Sequence, residues 1–162
     1  MNKYNLTIPH IRRSSHLSQP LKKAFSKPEK IAHIGIAVHS IEKSLPFYTE
    51  QLGLTLEKIE DVQSEHVKVA FIKIGESRIE LLEPISERSA IDKFLKKKGE
   101  GIHHIALEVK DIEQRLRDLK TNGIRLINEE PKIGGNDAKV AFLHPKSTHG
   151  VLYELCEHTK EE

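Results

Sequence analysis

The chain is poor in several things, and each shortage narrows what it does. It has no tryptophan, and aromatic residues make up only 5% of it, too few for the stacking platforms on which single-stranded nucleic acids lie. Its one cysteine, Cys156, excludes an internal disulfide and fits a reducing compartment. No apolar run nears the roughly 20 residues that span a bilayer as a helix, which argues against a helical membrane protein. No phosphate-cradling loop is present, because Gly134-Gly135 lacks the Lys-Ser/Thr that such a loop needs. Acidic residues are missing from residues 1–28, which hold Lys3, Arg12, Arg13, Lys22, Lys23 and Lys27 and so carry +6. Subtracting that from the net +2 leaves −4 for the rest of the chain. A nucleic-acid binder concentrates positive charge on its folded surface, so that class is disfavoured.

What the chain does have is a stretch said twice. His33-Ile34-Gly35-Ile36-Ala37-Val38 recurs as His104-Ile105-Ala106-Leu107-Glu108-Val109, 71 residues later. The same offset carries Val69-Ala70-Phe71-Ile72 onto Val140-Ala141-Phe142-Leu143. Two modules of this length, each too small to bury a good core alone, stack into one domain. Arg78-Ile79-Glu80-Leu81-Leu82 closes the first, and Leu152-Tyr153-Glu154-Leu155-Cys156 closes the second.

The 162 residues divide into a flexible basic arm over 1–28 and a single domain over 29–157. The domain comprises module one at 30–84, a connector helix at 89–98 and module two at 101–157. The arm contains Pro9, Pro20 and Pro28 with several serines. It weakly resembles an organellar transit peptide, which would address the protein to the mitochondrial matrix. A disordered extension on a cytoplasmic protein is the simpler reading.

Each module reads as βαβββ. In the first, Ile31–Val38 is a strand, with Gly35 marking a close backbone approach. Ser40 caps a helix through Leu52 that Pro46 interrupts. Leu54–Glu60, Val67–Ile74 and Ser77–Glu83 are strands, the last two joined by a Gly75-Glu76 hairpin. In the second, Ile102–Val109 is a strand and Asp111 caps a helix through Thr121. Ile124–Asn128, Val140–Leu143 and Gly150–Cys156 are strands, with a loop over Pro131–Asp137. The expected fold is α+β, with the two modules pairing into one curled mixed sheet around a cleft.

Alternate strand residues face opposite sides of a sheet. Ile34, Ile36 and Val38 share the side that meets the helix, which sends His33 to the helix-free side. Ile105, Leu107 and Val109 do the same for His104. Glu80 and Glu154 fall on that helix-free side too, so the curled sheet brings all four into one cleft. Buried carboxylates need compensation, and a divalent cation provides it. Two imidazoles and two carboxylates suit Zn, Ni, Co, Mn or Fe. By the same parity His103 points away from the cleft. His39, His66, His149 and His158 sit at element ends on the surface, His144 stands in a His-Pro-Lys turn that borders the cleft, and Cys156 packs without a neighbouring base.

With these residues in place, the chain from about 30 to 157 resembles the vicinal oxygen chelate superfamily, which includes glyoxalase I. Within it, the stretches Gly101-Ile102-His103-His104-Ile105-Ala106-Leu107-Glu108-Val109, Glu130-Pro131-Lys132-Ile133-Gly134, Phe142-Leu143-His144-Pro145-Lys146 and Gly150-Val151-Leu152-Tyr153-Glu154-Leu155 are similar to those of methylmalonyl-CoA epimerases. The resemblance implies metal ligands at His33, His104 and Glu154, with Glu80 as the fourth, holding one divalent ion such as Zn, Co, Ni or Mn. It also implies interconversion of (R)- and (S)-methylmalonyl-CoA by α-proton abstraction through a metal-stabilised enolate.

Glu154 then serves one face of the planar intermediate. The third strand lacks the carboxylate that certain epimerases carry, since it reads Lys68-Val69-Ala70, and leaves Glu65 or Glu80 for the other face. Lys132 and Lys146 are candidates for the CoA phosphates, and a homodimer is expected from the family. The alternatives are a glyoxalase I-type lactoylglutathione lyase acting on a thiol hemithioacetal, a non-catalytic binding member of the fold, and a ring-cleaving dioxygenase.

Overall fold

The computed structural model describes residues 26–158; nearly all of the basic arm lies outside them, and with it the question of organellar addressing. Among the described residues no helix is long and apolar enough to cross a membrane. The first module consists of β1 (Lys30–Ala37), α1 (Ile41–Pro46), β2 (Thr55–Val62), β3 (Val67–Ile74) and β4 (Ser77–Pro84). A connector helix, α2 (Ala90–Lys98), leads to β5 (Gly101–Glu108), α3 (Ile112–Thr121), β6 (Lys132–Ile133), β7 (Lys139–Leu143) and β8 (Tyr153–Glu157).

The eight strands form one mixed sheet in the order β2-β3-β4-β1-β5-β8-β7-β6. The order of each half mirrors the other, and the halves join where β1 pairs antiparallel with β5. β4 lies parallel to β1 and β8 parallel to β5, so the strand that ends a module is the neighbour of the strand that begins it. This is the α+β arrangement of two curled modules that the repeat implies. The two ends of the sheet also meet. Lys132 of β6 reaches Glu65, just after β2, at 2.6 Å, and a Cβ added at Gly135 would stand 3.2 Å from the Phe71 ring.

Strand parity splits the core into two layers. On the convex side Val38, Ile41, Ala70, Ile72 and Leu81 pack beneath α1, and Val109, Ile112, Leu116, Ala141, Leu143 and Leu155 pack beneath α3. On the concave side Val67, Val69, Phe71 and Leu82 meet Ile91 and Leu95 of α2, while Ala106, Val140 and Cys156 form a smaller group.

Both module helices start in the same way. Ser40 accepts a hydrogen bond from the Lys43 amide at 3.3 Å, and Asp111 accepts one from the Gln114 amide at 3.2 Å. The closing strand supplies a second cap. Glu83 accepts from the Ile41 amide at 2.6 Å, and Glu157 from the Asp111 amide at 2.8 Å. A carboxylate there satisfies an otherwise unpaired N–H and faces the positive end of the helix dipole.

Three local features depart from the strand-and-helix pattern of the sequence. Pro46, which has no N–H to give, ends α1, and Phe47–Gln51 continues as a wider π-helical turn closed by the Leu52 amide on the Phe47 carbonyl at 3.0 Å. Ile124–Asn128 is not a strand and makes only a single bridge, Leu126 to Leu143. The bridge is held by two backbone bonds, the Ile127 amide to the Phe142 carbonyl at 2.8 Å and the His144 amide to the Arg125 carbonyl at 2.9 Å. Side chains take up the neighbouring amides: Asn128 accepts from the Phe142 amide and Ser147 from the Arg125 amide, both at 3.0 Å. The sheet edge passes instead to Lys132–Ile133, inside the segment expected to be loop. Thirdly, β8 begins at Tyr153 rather than Gly150, because Gly150 and His149 adopt positive φ in the preceding turn.

Candidate active site

The concave face holds a cavity of about 260 Å³ that opens to solvent. His33 on β1, His104 on β5 and Glu154 on β8 meet in it, all three buried. Nε2 of His33 lies 3.0 Å from Nε2 of His104. The Glu154 oxygens stand 3.6 Å from His33 Nε2 and 3.5 Å from His104 Nε2. Glu80, on β4, reaches Nδ1 of His33 at 3.3 Å. All four side chains thus share the concave side, while the close cluster of donor atoms consists of His33, His104 and Glu154.

The register of the strands explains the meeting. Gly35 faces His104 across the β1–β5 junction, and Ala106 pairs with Glu154 across β5–β8. His104 lays its ring over Gly35: a Cβ there would stand 2.3 Å from Cε1 and 2.6 Å from Nδ1. The close backbone approach expected at Gly35 is therefore an approach to an imidazole.

Burial sets the electrostatics. It lowers His33 to about 3, with further lowering from the charges of His158 and Arg78, and takes His104 well below the ordinary histidine value. It lifts Glu80 to about 8 and Glu154 well above the ordinary carboxylate range, in the latter case with help from the Glu80 charge. Burial thus disfavours the charged form of each group in the site. A cation fits it on the evidence of the donors themselves. Metal–donor bonds of about 2.0–2.1 Å put tetrahedral donors about 3.3–3.4 Å apart, and the separations here run from 3.0 to 3.6 Å. Both imidazoles also turn the same nitrogen, Nε2, to the common centre.

Two histidines fall elsewhere than the sequence pattern places them. His103 lines the cavity beside His104, because the β1–β5 register steps from Gly35↔His104 to Ile36↔Ile102 and leaves His103 as a bulge. Its Nδ1 lies 2.9 Å from Nδ1 of His104, its ring meets Phe94 of α2 edge-on at 5.1 Å, and burial lowers it to about 4. His158 lines the cavity rim rather than the open surface, facing Glu108 at 3.9 Å. Of the two lysines, Lys132 lies in the cavity wall, paired with Glu65 and 5.7 Å from the Phe142 ring centre. Lys146 and His144 do not line it; the Lys146 amide donates to His144 Nδ1 at 3.1 Å. Cys156 is fully buried and its thiol is pushed up by burial, as befits a packing residue.

With this geometry in hand, comparison with known proteins becomes informative. The family profile described as "Glyoxalase/Bleomycin resistance protein/Dioxygenase superfamily" matches residues 32–142. The mitochondrial methylmalonyl-CoA epimerase of Homo sapiens is 40% identical over 152 residues, covering 91% of this chain and 86% of that protein. The ethylmalonyl-CoA/methylmalonyl-CoA epimerase of Cereibacter sphaeroides is 41% identical over 128 residues, 78% of this chain and 96% of that one. A solved methylmalonyl-CoA epimerase in complex with methylmalonyl-CoA and ammonium superposes with a TM-score of 0.80 at 37% identity, covering 84% of this chain and 99% of that one. Similarity to a probable chloroplastic lactoylglutathione lyase of Arabidopsis thaliana is lower, 24% over 128 residues, 79% of this chain and 35% of that protein.

Proposed function

The chain belongs to the glyoxalase/bleomycin resistance protein/dioxygenase superfamily, and we propose that within it the protein is a metal-dependent epimerase interconverting (R)- and (S)-methylmalonyl-CoA. The observation that carries this reading is the buried His33–His104–Glu154 triad in the concave cavity, in a chain about 40% identical to an epimerase of that name. The lyase alternative rests on much lower identity.

The α carbon of the substrate lies between a thioester carbonyl and a carboxylate, so loss of its proton places negative charge on their oxygens. His33, His104 and Glu154, with Glu80 as the proposed fourth donor, would hold a divalent cation, which when bound would supply positive charge to stabilise that developing charge. The protein does the rest. Val67, Val69, Leu82, Val140 and Phe142 line the cavity with apolar surface, which shields the developing charge from water. Glu154 turns Oε1 toward His33 and Oε2 toward His104, and we assign it the α proton on one face.

Inversion needs a second group on the other face. Among the described cavity-lining residues, the remaining carboxyl groups are Glu65 and Glu80. Glu80 holds Nδ1 of His33, while Glu65 carries an ammonium partner in Lys132, a pair able to hand a proton over and recover it. We assign Glu65 the second face on that ground. The same proposal includes a homodimer, twice the 18.5 kDa of the chain, and the mitochondrial matrix or cytoplasm as the compartment. It leaves the choice among Zn, Co, Ni and Mn to supply. The test offers the metal-loaded protein methylmalonyl-CoA beside the hemithioacetal of glutathione and methylglyoxal. Epimerisation of the first is the expected result, and turnover of the hemithioacetal alone would overturn the reading.

A further inference from the structure

The two imidazoles of the triad turn Nε2 inward, toward each other and Glu154, and Nδ1 outward. Their outer nitrogens meet different partners. Nδ1 of His33 faces the Glu80 carboxyl at 3.3 Å, whereas Nδ1 of His104 faces Nδ1 of His103 at 2.9 Å. A neutral imidazole has one N–H and one lone pair. A ring that gives its Nε2 lone pair to a cation must therefore carry its proton on Nδ1. That requirement fixes the direction of the short contact between the neighbouring histidines: His104 donates through Nδ1–H, His103 accepts at Nδ1, and the proton of His103 sits on its Nε2.

His104 has little else to hold its orientation. One ring face lies on Gly35, where an added Cβ would strike it, and Phe142 meets it edge-on at 5.5 Å. Its ring has polar contacts to His33 and Glu154, which belong to the triad, and to His103. His103 is itself placed by the bulge in β5 and by the ring of Phe94, so the acceptor is presented by packing rather than by chance.

We propose that His103 is a positioning residue that locks His104 in the tautomer and orientation a metal ligand needs. Metal affinity then depends on a histidine that is not a ligand. The inference rests on reading the triad as a metal site, and its test separates the two. His103→Phe keeps an aromatic ring against Phe94 but removes the acceptor; His103→Asn puts an amide oxygen near the place of Nδ1. Chelator competition with Zn²⁺ or Co²⁺ should show the Phe variant binding about 10–100-fold more weakly than the wild type, the usual loss when an outer partner of a ligating histidine is removed. The Asn variant should recover most of that loss. Equal affinity in wild type and His103→Phe would overturn the inference while leaving the triad standing. Wild-type protein that binds no metal would remove both. A long-range proton–nitrogen correlation on the zinc-loaded wild type settles the matter even where a variant fails to fold. It should find His104 protonated at Nδ1 and His103 at Nε2, and the opposite assignment would contradict the proposal.

Discussion

The ring of His104 lies directly on the backbone of Gly35, so closely that a Cβ on Gly35 would stand 2.3 Å from its Cε1. The contact crosses the β1–β5 junction, the seam between the modules. A methyl group at that place cannot be accommodated without moving a ring that is 5% exposed and enclosed by Phe142 and His103. Gly35→Ala should therefore displace His104 from the triad. Metal affinity should fall at least about tenfold, as when ligand orientation is lost. The helical and strand content seen by circular dichroism should stay near that of the wild type, since Gly35 is on an extended strand.

Protons should leave when the metal enters. Glu80 sits near 8 and Glu154 well above its usual range because burial disfavours their charge, and a cation reverses that. Calorimetric titration at pH 7 in buffers of different ionisation enthalpy should reveal net proton release. Stability carries the same signature. From about pH 7.5, a unit above the ordinary histidine value, to about 8 the imidazoles are neutral in both folded and unfolded chains, while Glu80 keeps a proton that the unfolded chain has lost. The unfolded state then binds fewer protons, so stability falls as pH rises through this window. The melting temperature of metal-free protein should drop accordingly, and that of metal-loaded protein should stay flat.

Glu65→Gln should separate exchange from inversion. Removing the group of the second face leaves Glu154 able to take a proton and return it to the same side. In deuterium oxide one epimer should keep exchanging its α hydrogen while racemisation falls by about 10²-fold or more, the usual weight of a general acid or base. Unchanged racemisation would transfer the second-face role to Glu80.

The paired caps at Glu83 and Glu157 make a stability prediction free of the site. Glu83→Ala removes the acceptor for the Ile41 amide and should cost about 0.5–2 kcal/mol in denaturant unfolding, with metal affinity retained.

Much of this was readable in the chain beforehand, and the gaps have physical reasons. A constant 71-residue offset placed His33 and His104 on equivalent strands, and parity sent Glu80 and Glu154 to the same side as the imidazoles. Parity fails where a strand gains a residue, so His103 faces the cavity against its strand alternation: the bulge opposite Ile36 is a matter of pairing register, which β5 alone does not encode. Ile124–Asn128 has a strand's composition, yet Asn128 and Ser147 take the bonds a neighbouring strand would make. The tie between Glu65 and Lys132 joins residues 67 apart and follows from how far the sheet curls. The motif around His103-His104 did hold a clue, since a second imidazole beside a ligand is a ready partner for its outer nitrogen.

The most direct test of the whole account is deuterium uptake at the α carbon of methylmalonyl-CoA, followed by proton NMR in deuterium oxide with wild type and His104→Ala, each treated with chelator and then with Co²⁺. The account predicts uptake and loss of optical purity only in the metal-restored wild type. Equal uptake by the chelated wild type, or by metal-treated His104→Ala, would contradict it.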